Sequence, residues 1–330
     1  MKVLVVGGAG YIGSHTTYEL IRAGHEVVVL DNLSTGSARN IHPQARFMWG
    51  DIRRKSDIAR VLCAEAEGGA PVDVAMHFAA KLIVPQSVTE PLTYYETNVE
   101  GLRVMLEALV EHDVRNLVFS STAAVYGEPS SSVCDEEDAT LPINPYGETK
   151  LACERMIKWA SAAHGLNYCI LRYFNVAGAD SSLEIGLDKD QLTHLVPLIM
   201  QAALGIRDKL LIFGDDYDTP DGTCVRDYVH VTDLAQAHVL GAERILAGAS
   251  SLLVNLGSGT GFSVKEVVDA ANELFEVPFE YAPRRPGDPA KLIAGINRAR
   301  TELGWEPRCN LRDILKSDYD FRRKLLGRRP

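Results

Sequence analysis

A chain of 330 residues, 46% hydrophobic and 24% charged, is about twice the length of one typical domain and has the balance of a globular fold. Its net charge of -10 argues against nucleic acid or an anionic membrane surface as partner. Six scattered cysteines, with no Cys-x-x-Cys and no Cys/His pair at metal spacing, predict reduced, mostly buried thiols in a cytoplasmic protein and no metal site. No stretch approaches the roughly 20 apolar residues of a membrane helix. The N-terminal apolar run is too short for a signal peptide.

That run, Lys2 to Val6, is β-branched and predicts a strand, and it leads into Gly7-Gly8-Ala9-Gly10-Tyr11-Ile12-Gly13. A helix is predicted from about Ser14 to Ala23, closed by Gly24. Glycines between a strand and a helix let backbone N–H groups and the helix N-terminus approach a pyrophosphate. The next strand, Glu26 to Leu30, ends in Asp31, 18 residues beyond Gly13. An acid there accepts from ribose hydroxyls and repels a 2′-phosphate, so NAD is favoured over NADP. Arg39 is the nearby cation that tempers this preference. Further strands are predicted at Arg46–Trp49, Asp73–Phe78, Leu117–Ser121 and Tyr168–Tyr173. Between them, Val99, Leu102, Met105, Leu106, Leu109 and Val110 form one stripe of a buried helix over Asn98–His112. The alternation of strands and helices predicts an α/β fold, a Rossmann-type doubly wound parallel sheet with a smaller C-terminal α/β substrate lobe. The expected boundaries are 1–178 for the NAD-binding domain and 179–330 for the lobe, some segments of which return to the first domain.

Three segments are expected to be irregular: Gly127–Pro145, Gly178–Gln191 and Gly214–Cys224. The acidic run Asp135-Glu136-Glu137-Asp138 reads as a solvated loop face. The basic residues Arg322, Arg323, Lys324, Arg328 and Arg329 read as a solvated terminus.

The chemistry gathers around Thr122, Tyr146 and Lys150. Tyr146 and Lys150 are four apart and share a helix face. The ammonium beside the phenol favours its ionised form, which otherwise needs a pH of about 10. Thr122 closes the strand 24 residues earlier. A hydroxyl, a phenolate and a lysine on a dinucleotide fold form an alcohol-oxidising set. His77 and His230 read as structural, because nothing beside them in sequence supplies a base with its orienting partner.

These residues stand within a longer series: His77-Phe78-Ala79-Ala80-Lys81, Pro145-Tyr146-Gly147, Leu171-Arg172-Tyr173-Phe174-Asn175, Val225-Arg226-Asp227-Tyr228-Val229-His230 and Pro283-Arg284-Arg285-Pro286-Gly287-Asp288. On these motifs, with the glycine loop, Asp31-Asn32-Leu33-Ser34 and Gly50-Asp51-Ile52, the chain resembles the extended short-chain dehydrogenase/reductases. Within them it resembles the UDP-glucose 4-epimerase family, from Met1 to about Trp305. The resemblance implies tightly bound NAD, a UDP-hexose substrate and a homodimer. Gly7, Gly10, Tyr11, Ile12, Gly13, Asp31, Asn32, Thr35 and Gly36 would hold the cofactor. Asp51 and Ile52 would hold its adenine, Phe78, Ala79, Ala80 and Lys81 its middle, and Asn98, Tyr146, Lys150 and Phe174 its nicotinamide half. The nucleotide sugar would lie on Thr122, Tyr146, Asn175, His194, Leu195, Leu211, Ile212, Phe213, Arg226, Arg285, Asp288 and Leu292. Independently of the resemblance, a pyrophosphate calls for planar, bidentate donors such as these arginines. A salt bridge to a neighbouring acid is the equal alternative for Arg226.

The implied reaction is a round trip at C4 of the hexose: oxidation to a 4-ketose, a turn of the sugar about its diphosphate, and return of the hydrogen to the other face. Thr122 stands where Ser is common in the family, His194 where many members have Asn, and Leu292 where some have Tyr. A 4,6-dehydratase shares the first oxidation but resembles enzymes with an Asp-Glu pair after the Thr, where Ala123-Ala124 stand here. A dinucleotide sensor on the same fold would have no use for the hydroxyl, tyrosine and lysine together.

Overall fold

A computed structural model describes residues 1–129, 131–188, 192–284 and 289–328, the side chain of Arg328 excepted. The first half alternates as expected: β1 (Lys2–Val6), α1 (Tyr11–Arg22), β2 (Glu26–Asp31), β3 (Arg46–Trp49), α2 (Lys55–Glu67) and β4 (Val74–His77). Then come α3 (Val84–Thr89), α4 (Pro91–Tyr94), a π-turn (Tyr95–Glu100), α5 (Gly101–Glu111), β5 (Asn116–Thr122) and a 3-10 turn (Ala123–Tyr126). β6 (Val133–Cys134), α6 (Pro145–His164), β7 (Asn167–Tyr173) and β8 (Asn175–Ala177) follow. The second half holds α7 (Leu195–Ala203), β9 (Leu210–Phe213), β10 (Val225–Arg226), β11 (Tyr228–His230), α8 (Val231–Leu246) and β12 (Leu252–Leu256). It ends with β13 (Phe262–Ser263), α9 (Val264–Asn272), β14 (Phe279–Ala282), β15 (Lys291–Ala294) and α10 (Leu311–Arg328).

Seven parallel strands form the central sheet in the order β12-β7-β5-β4-β1-β2-β3. Within β1, Val3 and Val5 enter the core on one face and Leu4 and Val6 the core on the other. That is why the strand reads as a continuous apolar run rather than as an alternation. β12 and α8 come from the second half yet belong to this unit, β12 beside β7 and α8 against α1. A smaller lobe has its own core on α7, β9, α9 and α10. A fourth cluster holds Ala123, Val125, Tyr126 and Phe174 of the first half with Ala294 and Ile296 of the second, and so joins the two.

The helix predicted over Asn98–His112 begins as the π-turn and is α-helical over α5, with Leu102, Met105, Leu106 and Leu109 buried. All six cysteines are free, and Cys134, Cys153, Cys169 and Cys224 are buried. Among the described residues no helix is long and apolar enough to cross a membrane.

Three expectations are corrected. The segment Gly127–Pro145 is not wholly irregular, because Val133–Cys134 pairs with β15. The acidic run is not all solvated: Glu136 turns inward and accepts the backbone N–H of Asn255 at 2.7 Å. Asn255 lies on the edge strand β12, whose outer N–H groups need such a partner. Arg322 is buried, donating to Asp318 one turn away and to Leu187 O at 3.3 Å, so α10 fastens the loop after β8. Glu184 likewise holds Lys324, at 2.7 Å.

Candidate active site

Strand order reverses at the β1/β4 boundary, and most of the predicted cofactor residues follow the ends of β1, β2, β3 and β4, with Asn98 on the π-turn and Tyr146 and Lys150 on α6. Such switch points open a crevice at the carboxyl ends of strands. Gly7 has φ +85°, and a Cβ there would stand 2.5 Å from Ala79 N. A Cβ on Gly13 would stand 2.4 Å from Gly7 O. The loop therefore packs backbone on backbone. α1 is preceded by Gly10 at the N-cap position, with no side chain to cap it, so the first N–H groups of α1 meet no competing side-chain acceptor from Gly10. Tyr11 donates its hydroxyl to Gly178 O at 2.5 Å, and its carbonyl accepts Ser14 Oγ at 3.0 Å and meets His15 Nδ1 at 2.7 Å, so its backbone N–H is the group left for a ligand. Ile12 packs against the sheet.

Asp31 accepts Ala9 N–H at 3.0 Å on one carboxylate oxygen and Leu33 N–H at 2.7 Å on the other. A carboxylate has about four acceptor sites, so capacity remains for hydroxyls. Asn32 donates to Asp51 at 3.1 Å, and Arg53 takes both Asp51 oxygens at 3.0 and 2.7 Å. The hydrogen bond from Arg53 holds the Asp51 carboxyl well below the usual range. Ile52 is buried next to Gly101. Thr35 is exposed, and Gly36 packs on Ala9, where a Cβ would come within 2.8 Å of its backbone. This cradle, filled by any side chain larger than hydrogen and flanked by a buried acid, fits a dinucleotide.

Phe78, Ala79, Ala80 and Lys81 leave β4 as a half-buried segment. Asn98 fastens it, accepting Lys81 N–H at 2.8 Å and donating to Lys81 O at 3.1 Å and Thr149 Oγ1 at 3.0 Å. The Asn98 side chain is thus a brace between this segment and α6.

α6 starts sharply because Asn144 accepts Gly147 N–H at 2.9 Å and Pro145 takes the first helical position; it stops at Gly165, φ 69°. Tyr146 and Lys150 thereby lie on one helical face beside the end of β5. Thr122 stands beside the Tyr146 phenol, and its Oγ1 accepts Ala124 N–H at 3.1 Å. Lys150 donates to Ser120 O at 2.8 Å and stands 4.9 Å from the centroid of the Phe119 ring. The charge states differ from the expectation. Burial pushes the Tyr146 phenol up to about 12, with Thr122 opposing. Burial also brings Lys150 down to about 8, with Cys153 and Glu154 opposing. Desolvation is the largest cause at both groups, and the expected attraction between the two side chains is not among the causes at either.

His77, between Phe119 and Lys150, is brought down to about 3 by burial, and neither ring nitrogen meets a partner among the described residues. His230 caps α8, accepting Thr232 N–H at 3.1 Å and meeting Ser317 Oγ at 3.0 Å.

On the substrate side, Asn175 donates its backbone and side-chain N–H to Asp227 O, both at 3.0 Å. Arg226 donates to Val225 O at 2.8 Å and is the register partner of Leu292 across β10 and β15. Leu292 packs on the junction cluster that holds Phe174. His194 occupies the N-cap position of α7 without a side-chain capping bond and is exposed, while Leu195 is half-buried. Leu211 and Phe213 alternate with Leu210 and Ile212, which are buried in the lobe's core. Ile212 therefore has only its backbone left for a ligand. Arg285 and Asp288 lie outside the described residues.

A buried polar network under the site was not foreseen. Glu154, one turn beyond Lys150, accepts from Ser121 Oγ at 2.5 Å and from Arg172 at 2.8 and 2.6 Å. Its signal was the series Tyr146, Lys150, Glu154 at four-residue spacing, with a lone arginine in the apolar strand Tyr168–Tyr173. Among the described residues no three His, Cys, Asp or Glu side chains gather as a metal site.

A UDP-glucose 4-epimerase of Halalkalibacterium halodurans is 49% identical over 310 residues, covering 93% of this chain and 91% of that one. The crystal structure of UDP-glucose 4-epimerase from Brucella ovis in complex with NAD superposes with a TM-score of 0.93 at 43% identity, covering 97% of each chain. UDP-glucose-4-epimerase from Stenotrophomonas maltophila, solved with NAD and formylated UDP-arabinopyranose, gives a TM-score of 0.95 at 39% identity over 99% of both chains. Residues 3–257 match the model of the NAD dependent epimerase/dehydratase family, and the chain belongs to that family.

Proposed function

We propose that the protein interconverts UDP-glucose and UDP-galactose by reversible 4-epimerisation through a 4-keto intermediate, with NAD as its cofactor. The observation that carries this reading is Thr122, Tyr146 and Lys150 gathered at the end of β5, in a chain about half identical to a 4-epimerase along nearly its whole length. NAD, when bound, accepts the C4 hydrogen of the sugar and returns it. Tyr146 takes the proton from the 4-hydroxyl and gives it back. Thr122 hydrogen-bonds the reacting oxygen, and Lys150 holds positive charge beside the phenol from its anchor on Ser120 O. With the phenol pushed up to about 12, Tyr146 ionises only when more positive charge enters beside it. The cofactor half is 1–178 and the nucleotide-sugar half mainly 179–330, with Asn175 and Arg226 among the residues on the nucleotide sugar. The dehydratase is disfavoured because Ala123 lies in the apolar junction cluster and supplies neither acid nor base. Conversion of UDP-galactose to UDP-glucose by the purified protein with no cofactor added tests the assignment; a 4-keto-6-deoxy product contradicts it.

Leu292 bears on the sugar's substituents. It packs against the cluster of Phe174 and lies opposite Arg226. Leu292→Tyr is expected to lower activity on the N-acetylated UDP-hexose pair more than on UDP-galactose. Excluding one steric group is worth about 1 to 3 kcal/mol, so the ratio of the two kcat/KM values should move by roughly tenfold. An unchanged ratio removes Leu292 from the sugar pocket.

The working form is a homodimer in the cytoplasm. The dimer is supported by exposed Val88, Leu92 and Trp159, at 61, 82 and 77%, on helices α3, α4 and α6 that pack side by side. The location is supported by free thiols throughout. Sedimentation should give a dimer that Leu92→Glu with Trp159→Glu drives to monomer. A monomeric parent protein contradicts the dimer.

A further inference from the structure

We propose that the buried pair Glu154–Arg172 is a positioning device, setting α6 in a single register on β5 and so fixing Tyr146 and Lys150 relative to Thr122. The inference rests on the reading of those three residues as the reacting groups. Tyr146, Lys150 and Glu154 recur every four residues and occupy one stripe of α6. The two lower members of the stripe are tied to the two residues before Thr122: Lys150 to Ser120 O at 2.8 Å, and Glu154 to Ser121 Oγ at 2.5 Å. Arg172 is the register partner of Ser121 on the neighbouring strand β7 and grips both Glu154 oxygens. Its remaining arm reaches Tyr126 OH at 3.0 Å, and Tyr126 donates to Asn255 Oδ1 at 2.7 Å. The network thus also braces the turn that follows Thr122. Glu154, Arg172, Ser121, Tyr126 and Asn255 are all at most 3% exposed.

Stability alone does not account for such a pair. Taking two charges out of water offsets most of their attraction, and apolar side chains of the same volume hold a core as well. What a forked ion pair adds is direction: both arms are satisfied in only one sliding position of the helix on the sheet. Glu154 and Arg172 act through Ser121, Lys150 and Tyr126, and so are positioning residues.

The test uses the full-length protein with its bound cofactor. Ser121→Ala, Glu154→Gln and Arg172→Lys are compared with the parent below their melting temperatures, with kcat, KM for UDP-galactose, NAD content and Tm measured for each. Misplacing reacting groups by about 1 Å can lower rates by about 100-fold. We expect kcat to fall by roughly tenfold in Ser121→Ala and by up to about 100-fold in the other two, with KM and NAD content unchanged. Because Ser121 acts through its neighbour, Ser121→Ala combined with Thr122→Val should lose less than the product of the single losses. Glu154→Gln leaves a buried guanidinium without its counter-charge; if it fails to fold, Ser121→Ala, which keeps the pair, decides. A lower Tm with unchanged kcat in Ser121→Ala overturns the proposal, as does a rise in KM alone. If Tyr146→Phe also turns over at the parent rate, it is the assignment of the reacting groups that has failed.

Discussion

Tyr146→Phe is expected to lower turnover by about 10² to 10⁴-fold while leaving the protein folded and NAD bound, the range for losing a positioned general base. The substitution removes one oxygen from a half-buried side chain. Tyr146 is the one phenol on α6, the helix that carries Lys150. Tyr173 is close by, but its hydroxyl is engaged with Ser120 Oγ in the core. Lys150 cannot substitute as the base: brought down to about 8, it stays largely protonated at neutral pH. Initial rates with UDP-galactose, beside the NAD released on denaturation, check the result. Turnover equal to that of the parent removes Tyr146 from the chemistry.

Gly13→Ala is expected to weaken NAD binding by about 10- to 100-fold. The new Cβ would stand 2.4 Å from Gly7 O and 3.0 Å from Gly8 Cα, both backbone atoms of the phosphate loop. Overpacking of this kind costs about 1 to 3 kcal/mol, and relief here comes only by moving the loop that must meet the pyrophosphate. Gly10→Ala is the control on the same loop. Its Cβ would meet Gly7 O at 3.3 Å, a contact relieved by a few tenths of an ångström. NAD released from each purified protein measures the difference, and added NAD should restore turnover to Gly13→Ala. Equal NAD content in the two variants contradicts the account of the loop.

The cofactor half was legible because its signals are local. A strand buried on both faces shows as an apolar run, and a glycine loop must follow its strand directly, so Lys2 to Gly13 announced itself. Tyr146 and Lys150 were legible because one helix carries both. Features that join distant segments were not. Glu154 is an ordinary helical acid until β7 brings Arg172 against it, and Glu136 reads as one of four solvated acids until edge strand β12 presents its N–H. Arg322 reads as part of a basic tail until α10 folds onto the loop after β8. Composition also could not tell that burial would push Tyr146 up and Lys150 down, because desolvation depends on the whole surrounding fold.

The central claim is that the hydrogen leaving C4 returns to C4 without reaching solvent. Purified protein, with no cofactor added, is incubated with UDP-galactose in deuterated water, and the products are analysed by NMR. The account predicts UDP-glucose with no deuterium on any carbon and no reduced cofactor released to solution. Deuterium at C5 accompanied by loss of water, or NADH released in proportion to substrate, would contradict it.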